Sequence, residues 1–307
     1  MEVHAAALLC AMLLDAVLGE PDALWSRAPH PAVVMGRAVG WCEKNLNKGS
    51  ARKARGVAVV TALVVGAALI GVTLADLPLI GWAVEITLAA ILLAQKSLVE
   101  HVRAVATALR KSTNDGRRTV ALIVGRDTAA MDPPAISRAA IESAAENFSD
   151  GVVAPAFWFL LGGLPGIIVY KLVNTADSMI GYRTPELRDF GWAAARLDDV
   201  LNWVPARLTA IVFLIAFRRW PNWAALRRDA SLHRSPNAGW PEAAMALGLN
   251  VALAGPRSYN GEMRDFPWVW ARGKREAGPA EIDQSADVLW RGWVVLFAGV
   301  VVCLILT

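Results

Sequence analysis

Nineteen consecutive residues without a charge, Val57 to Ala75, restrict this chain more than any other feature of its sequence. As an α-helix the run is about 28 Å long, at about 1.5 Å per residue, which matches the hydrocarbon core of a bilayer. The composition agrees, because 55% of the 307 residues are hydrophobic and the mean hydropathy is +0.40. A soluble domain contains fewer apolar residues. We therefore predict a membrane protein with a spanning helix here.

Other apolar segments extend this prediction to a polytopic all-α bundle, a single domain over residues 1–307. Residues 77–94 are similar apart from Glu85, and residues 292–306 are barely long enough to cross. Val3 to Leu18 lacks a basic n-region and a small-residue cleavage site, so we expect a retained first helix rather than a signal peptide. Residues 243–254 are too short to span, and residues 256–288 are expected to form a loop.

Basic loops predict the orientation in the membrane. The segments "KGSARKAR" (48–55) and "RKSTNDGRR" (110–118) flank the first two predicted spans. Because Lys and Arg accumulate on the cytoplasmic side, residues 19–56 and 95–151 should be cytosolic. The same rule accounts for the pI near 9.1, so we expect no nucleic-acid partner. A multi-pass protein of the inner membrane with its site facing the cytoplasm is predicted.

Two further apolar segments leave the topology open. Residues 152–173 are long enough to cross, but Gly162-Gly163-Leu164-Pro165-Gly166 interrupts them, and Trp203 to Phe217 is short and carries Arg207. Either both cross, which puts residues 174–202 outside, or each is re-entrant or half-inserted, which keeps that segment cytosolic. We favour re-entry, because broken helices at membrane depth line cavities and often build binding sites.

Carboxylates gather just before the interrupted segment. In a helix predicted over 136–147, Glu142 and Glu146 at i and i+4 share a face with Asn147 beside them, and Asp150 joins if the helix runs one more turn. Two like charges this close repel each other. Arg138 could offset part of the repulsion and Mg²⁺ the rest, since that ion prefers one or two carboxylates plus substrate phosphates. A solvated helix face is the alternative.

A second polar cluster follows the interruption, in "YKLVNTADSMIGYR" (170–183) and "GWAAARLDDVLNWVPAR" (191–207), and two further polar stretches stand out. Carboxylates on either side of a membrane hairpin, with arginines among them, are typical of a binding site for Mg²⁺ and phosphate. In "SLHRSPNAGWPEAAMALG" (231–248), Ser235 or Asn237 could cap a helix begun by Pro241, and "GEPDALWSRAPHPAVVMGR" (19–37) holds His30 between two prolines. The candidates from these segments are Lys171, Asn174, Asp177, Arg183, Arg196, Asp198, Asp199, Arg207, His233, Arg234, Asn237, His30 and Arg37.

Long motifs in these regions resemble one family. The segments "LDAVLGEPDALWSRAPHPAVVMGR", "RDTAAMDPPAISRAAIESAAENFSDGVVAPAFWFLLGGLPGIIVYKLVNTADSMIGYR", "FGWAAARLDDVLNWVPARLTA" and "HRSPNAGWPEAAMALGLNVALAGP" are similar to the CobD/CbiB family of adenosylcobinamide-phosphate synthases. The resemblance covers residues 14 to 261. No nucleotide-binding loop of the G-x-x-x-x-G-K-[ST] type is present.

The resemblance implies a membrane enzyme that joins adenosylcobyric acid to aminopropanol or its O-phosphate, using ATP and Mg²⁺ to form an amide. On that basis we expect three groups of site residues. Mg²⁺ would be held by Glu142, Glu146, Asn147, Asp150, Asn174 and Asp177. Substrate and phosphate would be bound by Arg183, Arg196, Arg207, Arg234, Asn237, Lys171, His30 and Arg37, and the catalytic groups would be Asp198, Asp199 and His233.

Two other classes of function fit the pattern less well. Broken helices also describe transporters of a corrinoid or another anionic solute. Carboxylate clusters on membrane helices also serve Mg²⁺-dependent transferases that act on prenyl or lipid diphosphates. We expect the lipid bilayer as a partner. The sequence leaves open whether the chain also forms a homo-oligomer or binds other cobalamin-pathway proteins.

Overall fold

Helices make up most of the chain, which confirms the predicted all-α membrane fold. The computed structural model describes residues 1–220, 223–259 and 261–307. Its helices are α1 (Glu2–Leu18), α2 (Asp22–Trp25), α3 (Pro31–Leu46), α4 (Arg52–Ala75), α5 (Gly81–Leu92), α6 (Gln95–Lys111), α7 (Thr113–Val120), α8 (Pro133–Phe148), a π-helical turn (Ser149–Val153), α9 (Ala154–Ile180), α10 (Trp192–Leu201), α11 (Trp203–Phe217), α12 (Trp223–Ala230), α13 (Gly239–Leu249) and α14 (Pro279–Leu306). Its short strands are β1 (Leu253–Ala254), β2 (Arg257–Tyr259), β3 (Glu262–Arg264) and β4 (Trp268–Val269).

Several helical segments have the length and composition to cross a bilayer. Within the described residues there are four: Arg52–Ala75, Gly81–Lys111, Pro133–Ile180 and Pro279–Leu306. A fifth is added if α10 and α11, which are bent by 44° at their junction, count as one span. Helices of this kind satisfy their own backbone hydrogen bonds, as lipid requires. Which of the interrupted segments cross and which re-enter stays a prediction.

The chain forms two compact units, each built from separate stretches. Unit 1 consists of residues 1–94, 154–203 and 299–307, and unit 2 of residues 95–153 and 204–298. In unit 1, α9 packs against α1, α3, α4, α5 and α10. In unit 2, α8 packs against α6, α7, α13 and β1. The single domain expected over residues 1–307 stays a prediction.

The interruption predicted in the apolar segment is a kink inside α9. Gly163 has φ 57 and ψ −150, a conformation that side chains other than glycine's rarely adopt, and Pro165 follows two residues later. The backbone groups released by the kink find side-chain partners in unit 1. Leu164 N donates to Glu85 Oε1 at 3.1 Å, and His4 Nδ1 lies 3.4 Å from Leu160 O. Glu85 therefore acts as a cap for the second half of α9.

The small residues of α8 explain why this helix is deeply buried in unit 2. Ala139, Ala140, Ala144 and Ala145 are all at most 1% exposed, so neighbouring elements approach the backbone closely. At the end of α8, Phe148 stacks on Phe213 with ring centroids 5.1 Å apart. The π-helical turn then continues the chain, so that Asp150 follows α8 without a break.

Three predicted boundaries were wrong. The loop expected over residues 256–288 contains β2, β3 and β4 and ends at Pro279, where Glu281 accepts a hydrogen bond from Gly278 N at 2.7 Å and starts α14 early. The span expected over residues 77–94 begins later, at Gly81, and its helix α5 ends at Leu92, where Leu93 is extended; the segment able to cross continues through α6 to Lys111. Helix α13 begins at Gly239, before Pro241, and Ser235 instead turns the preceding loop by accepting from Asn237 N and Ala238 N.

Candidate functional site

A buried carboxylate between two guanidinium groups is the centre of the polar cluster in unit 2. Glu142 is 7% exposed. Its Oε2 accepts hydrogen bonds from Arg126 Nη2 at 2.6 Å and Arg257 Nη1 at 2.8 Å, and its Oε1 accepts from Ala254 N at 2.8 Å. Charge-assisted hydrogen bonds of this kind are among the strongest in proteins. Glu142 therefore joins α8 to the loop before it and to the two strands that supply Ala254 and Arg257.

Local structure brings these partners to α8. Arg126 lies in the loop between α7 and α8, and Arg257 opens β2, which pairs antiparallel with β3. Asp127 fastens the same loop to this hairpin, because its Oδ2 accepts from Ser258 Oγ at 2.8 Å and from Gly261 N at 2.7 Å. Ala254 has φ 58, a strained value for alanine that costs about 1–3 kcal/mol. The hydrogen bond from its N–H to Glu142 offsets part of that cost.

A second buried acid, Glu242 on α13, lies in unit 2 and carries a proton at neutral pH. It is 4% exposed, and its Oε1 has no hydrogen-bond partner among the described residues. Burial, followed by repulsion from Glu142, raises the pKa of this carboxyl to about 8. Glu242 Oε2 lies 4.0 Å from His233 Nε2. A neutral carboxyl can donate or accept a hydrogen bond, whereas an ionised one only accepts.

His233 is held in one tautomer. Its Nδ1 accepts from Ser235 N at 3.0 Å, so the proton of the neutral ring is on Nε2. Burial, with the positive charge of Arg257 next, lowers the pKa of His233 below its ordinary value. At pH 7 this imidazole is therefore neutral and presents a donor rather than a base.

Arginines in unit 2 also contact aromatic rings. Arg234 and Arg257 lie over the same Phe266 ring, 4.6 and 4.7 Å from its centroid. Arg207 donates to Asn237 Oδ1 at 3.2 Å and lies 4.9 Å from the centroid of a Trp240 ring. The structure thus brings Arg207 and Asn237 together, as two members of the predicted phosphate-binding group.

In unit 1 the predicted residues of α9 and α10 also meet. Asn174 Nδ2 donates to Asp198 Oδ1 at 3.3 Å, and Asn202 Nδ2 donates to Asp198 Oδ2 at 3.0 Å. Tyr170 OH in turn donates to Asn202 Oδ1 at 2.9 Å. Asp198 is therefore held in a fixed orientation by two amides. On the next residue, Asp199 Oδ2 accepts from Arg196 Nη1 at 3.1 Å.

The remaining predicted residues of unit 1 divide between α9 and α3. Lys171 and Asp177 lie on α9 with Asn174, Arg183 is exposed just after that helix, and Arg37 is exposed on α3. His30 contacts the backbone through both ring nitrogens. Its Nδ1 accepts from Ala32 N at 3.1 Å, and its Nε2 lies 3.2 Å from Ile91 O. These contacts favour a role in capping α3 over the predicted contact with phosphate.

The predicted magnesium ligands are divided between the units. Glu142, Glu146, Asn147 and Asp150 belong to unit 2, and Asn174 and Asp177 to unit 1. Over residues 1–220, 223–259 and 261–307, no three His, Cys, Asp or Glu side chains are grouped as a protein-only metal site would need. Because both Glu142 oxygens are engaged by arginines and a backbone N–H, a positioning role suits it better than metal ligation. That the other five share one ion stays a prediction.

Sequence reasoning missed four residues of these clusters: Arg126, Arg257, Glu242 and Asn202. Arg126 opens the segment "RDTAAMDPP", one of the stretches that carry the family resemblance, so it was the easiest to find. Glu242 stood out only as an early residue of a helix. Arg257 directly follows the last motif, and its role depends on the β2–β3 hairpin, which the sequence pattern does not predict.

Comparison with known proteins identifies the family. The family model described as CobD/Cbib protein matches residues 8–289. Three similar proteins are each named cobalamin biosynthesis protein CobD. That of Brucella anthropi is 47% identical over 98% of this chain and 97% of its own length, that of Rhizobium meliloti 48% over 94% and 93%, and that of Rhodobacter capsulatus 46% over 86% and 86%. No solved structure matches. The chain therefore belongs to the CobD/CbiB family.

Proposed function

We propose that this protein is an enzyme of cobalamin biosynthesis that joins adenosylcobyric acid to aminopropanol or its O-phosphate through an amide bond. The observation that carries the proposal is the similarity, over nearly the whole chain, to proteins named cobalamin biosynthesis protein CobD. The membrane-spanning segments and the two clusters of carboxylates with arginines agree with it.

An amide does not form from a carboxylate and an amine without activation. ATP with Mg²⁺, when bound, would supply a phosphoryl group that converts the substrate carboxylate into an acyl phosphate, with ADP as the leaving product. The amine then attacks the acyl carbon, phosphate leaves, and the amine loses one proton. Negative charge develops on phosphoryl and acyl oxygens during these steps, and fixed cationic donors stabilise it.

The side chains of the chain divide these tasks. Glu146, Asn147, Asp150, Asn174 and Asp177 supply the oxygen donors that Mg²⁺ prefers, and one or two carboxylates suffice where substrate phosphates complete the shell. Arg183, Arg196, Arg207, Arg234 and Lys171 would bind phosphate, with Asn237 held by Arg207. Asp199 would accept the amine proton, with Asp198 beside it oriented by two amides. His233, with its proton on Nε2, would donate a hydrogen bond to a developing oxyanion.

The test is product formation by the purified protein in detergent. Adenosylcobyric acid, ATP, MgCl₂ and either aminopropanol or its O-phosphate should give a product whose mass is the sum of acid and amine less one water, with one ADP and one phosphate released. Glu146→Gln and Asp177→Asn should each lower turnover at least tenfold. Glu100→Gln, an exposed carboxylate on α6, is the matched control. Near-normal turnover of both site variants would remove the metal-ligand assignment.

One structural feature favours a second candidate function. The kink of α9, with Glu85 and His4 beside it, resembles the broken helices of transporters. Uptake of a corrinoid into vesicles without any covalent product would favour transport. A product containing a prenyl or lipid group would instead favour the transferase alternative.

A further inference from the structure

The stretch after α11 carries a dense group of basic and aromatic side chains. Between residues 200 and 241 the sequence holds six arginines, no lysine and a single carboxylate, that of Asp229. The proposed function uses only Arg207 and Arg234 of these arginines. The other four and the two tryptophans among them are all exposed and form what we call the basic surface: Arg218, Arg219, Trp220, Trp223, Arg227 and Arg228.

The basic surface begins where an exposed apolar face ends. On α11, Val204, Ile211 and Ile215 are exposed and lie seven and four residues apart, so they share one side of the helix. Helix α11 belongs to the bent segment that can count as a fifth span, so this side suits contact with lipid hydrocarbon. Arg218 directly follows Phe217, the last residue of the helix. Because arginine and tryptophan are typical of the membrane interface, this change in composition indicates the level of the lipid headgroups.

Helix α12 turns a basic side outward. Leu226, Asp229 and Ala230 are buried, and α12 packs against α13. Arg227 and Arg228 lie on the other side of the helix and are exposed. A helix with one buried side and a basic outer side is typical of segments that lie along a membrane surface.

Contacts with α13 hold the basic surface in place. Arg219 Nη1 donates to Leu247 O, near the end of α13, at 3.3 Å. Trp223 lies against Trp240 near the start of that helix, with ring centroids 5.2 Å apart. Helix α13 has eleven residues and is therefore about 16 Å long. Both parts of the basic surface are thus attached to one short, buried helix.

Most of this positive charge has no carboxylate beside it. Arg228 Nε lies 3.3 Å from Asp229 Oδ1, and within the described residues this is the only ion pair that the four arginines form. The side chains of Arg218 and Arg227 make no hydrogen bond or ion pair with any residue that the structure describes. A surface with such an excess of positive charge attracts anions, and guanidinium groups match the oxygens of phosphate.

We propose that the basic surface binds the headgroups of anionic phospholipids. Clusters of arginines that directly follow a membrane helix, or that lie on an amphipathic helix, attract the phosphates of such lipids. The apolar side of α11 and the exposed rings of Trp220 and Trp223 favour a lipid over a soluble anion, because they suit the hydrocarbon and the interface of the same leaflet. The proposal concerns lipid binding, so it can fail or hold independently of amide formation.

The experiment is native mass spectrometry of the purified full chain in detergent, titrated with phosphatidylglycerol or with phosphatidylcholine of the same acyl chains. Wild type should bind phosphatidylglycerol about tenfold more tightly than phosphatidylcholine. Arg218→Gln combined with Arg227→Gln should weaken phosphatidylglycerol binding about tenfold and leave phosphatidylcholine binding unchanged. The same two positions changed to Lys keep the charge and should bind phosphatidylglycerol nearly as wild type does.

A matched control removes the same charge from other surfaces. Arg118→Gln combined with Arg188→Gln changes two exposed arginines, each beside an aspartate, and should bind both lipids like wild type. Equal affinity of wild type for the two lipids, or an equal loss in the control and the Arg218→Gln, Arg227→Gln protein, would overturn the proposal.

Two other occupants of the basic surface give different results in the same spectra. If copies of the chain meet there, Arg218→Gln with Arg227→Gln changes the mass of the assembly and leaves the number of bound lipids unchanged. If a soluble phosphate ester binds there, glycerol 3-phosphate displaces phosphatidylglycerol at equal concentration. Either result would overturn the assignment to a lipid surface.

Discussion

At the scale of single residues, Glu142 and Glu146 show that a sequence pattern predicts a shared helix but not which of its residues are buried. Their spacing of four correctly predicts a shared helix, but the structure buries Glu142 and exposes Glu146. Periodicity could not separate them, because burial of Glu142 depends on Arg126 and on β2, which are distant in sequence. The pair expected to bind one metal ion therefore has two different environments.

These environments predict different effects of the same substitution. Glu142→Gln leaves Arg126 and Arg257 without their shared counter-charge, so it should reduce the free energy of unfolding by about 3 kcal/mol. Glu146→Gln, one turn further on an exposed position, should change it by less than about 0.5 kcal/mol. Thermal unfolding of both variants in the same detergent measures the difference. Equal melting temperatures would show that the Arg126–Glu142–Arg257 contact contributes little to stability.

At the scale of elements, apolar runs predicted which segments are helical, but not where the helices begin. Residues 57–75 and 136–147 lie inside α4 and α8, which extend beyond them at one or both ends. The kink in α9 was also predictable, because Gly163 and Pro165 are intrinsic helix breakers. The partner of the kink was not predictable: Glu85 is nearly eighty residues away, and nothing in its own apolar segment indicates which backbone group it accepts from.

The kink therefore depends on Glu85. Glu85→Ala removes the acceptor for Leu164 N and leaves a buried donor unpaired, which should cost about 2 kcal/mol. Glu85→Gln keeps an acceptor oxygen at the same distance from the backbone, so it should reduce the free energy of unfolding by less than half as much as Glu85→Ala. The melting temperatures of the two variants in detergent give the comparison. If Gln and Ala destabilise equally, the charge of Glu85 rather than its hydrogen bond supports the kink.

At the scale of the whole molecule, charge placement predicts orientation more directly than the fold does. The two basic loops lie at residues 48–55 and 110–118, on either side of α4 and α5. Hydropathy located the helical segments, since four described segments can cross. It cannot decide whether a kinked or bent segment crosses, because a half-helix and a full span have the same local composition. The location of residues 181–191, between α9 and α10, distinguishes the two topologies.

Cysteine labelling tests this location. The background is a variant whose Cys10, Cys42 and Cys303 are replaced by serine, and single cysteines are introduced at the exposed positions Thr184 and Arg188. Because re-entry keeps residues 174–202 cytosolic, these cysteines should react with a membrane-impermeant maleimide only after spheroplasts are permeabilised. Ser50→Cys in the first basic loop should behave in the same way by the positive-inside rule. Asp76→Cys, just after α4, should be labelled in intact spheroplasts and shows that the reagent reaches the outer surface. Labelling of Thr184→Cys and Arg188→Cys without permeabilisation would instead establish that both interrupted segments cross, and would place Arg183 and α10 on the side opposite the basic loops.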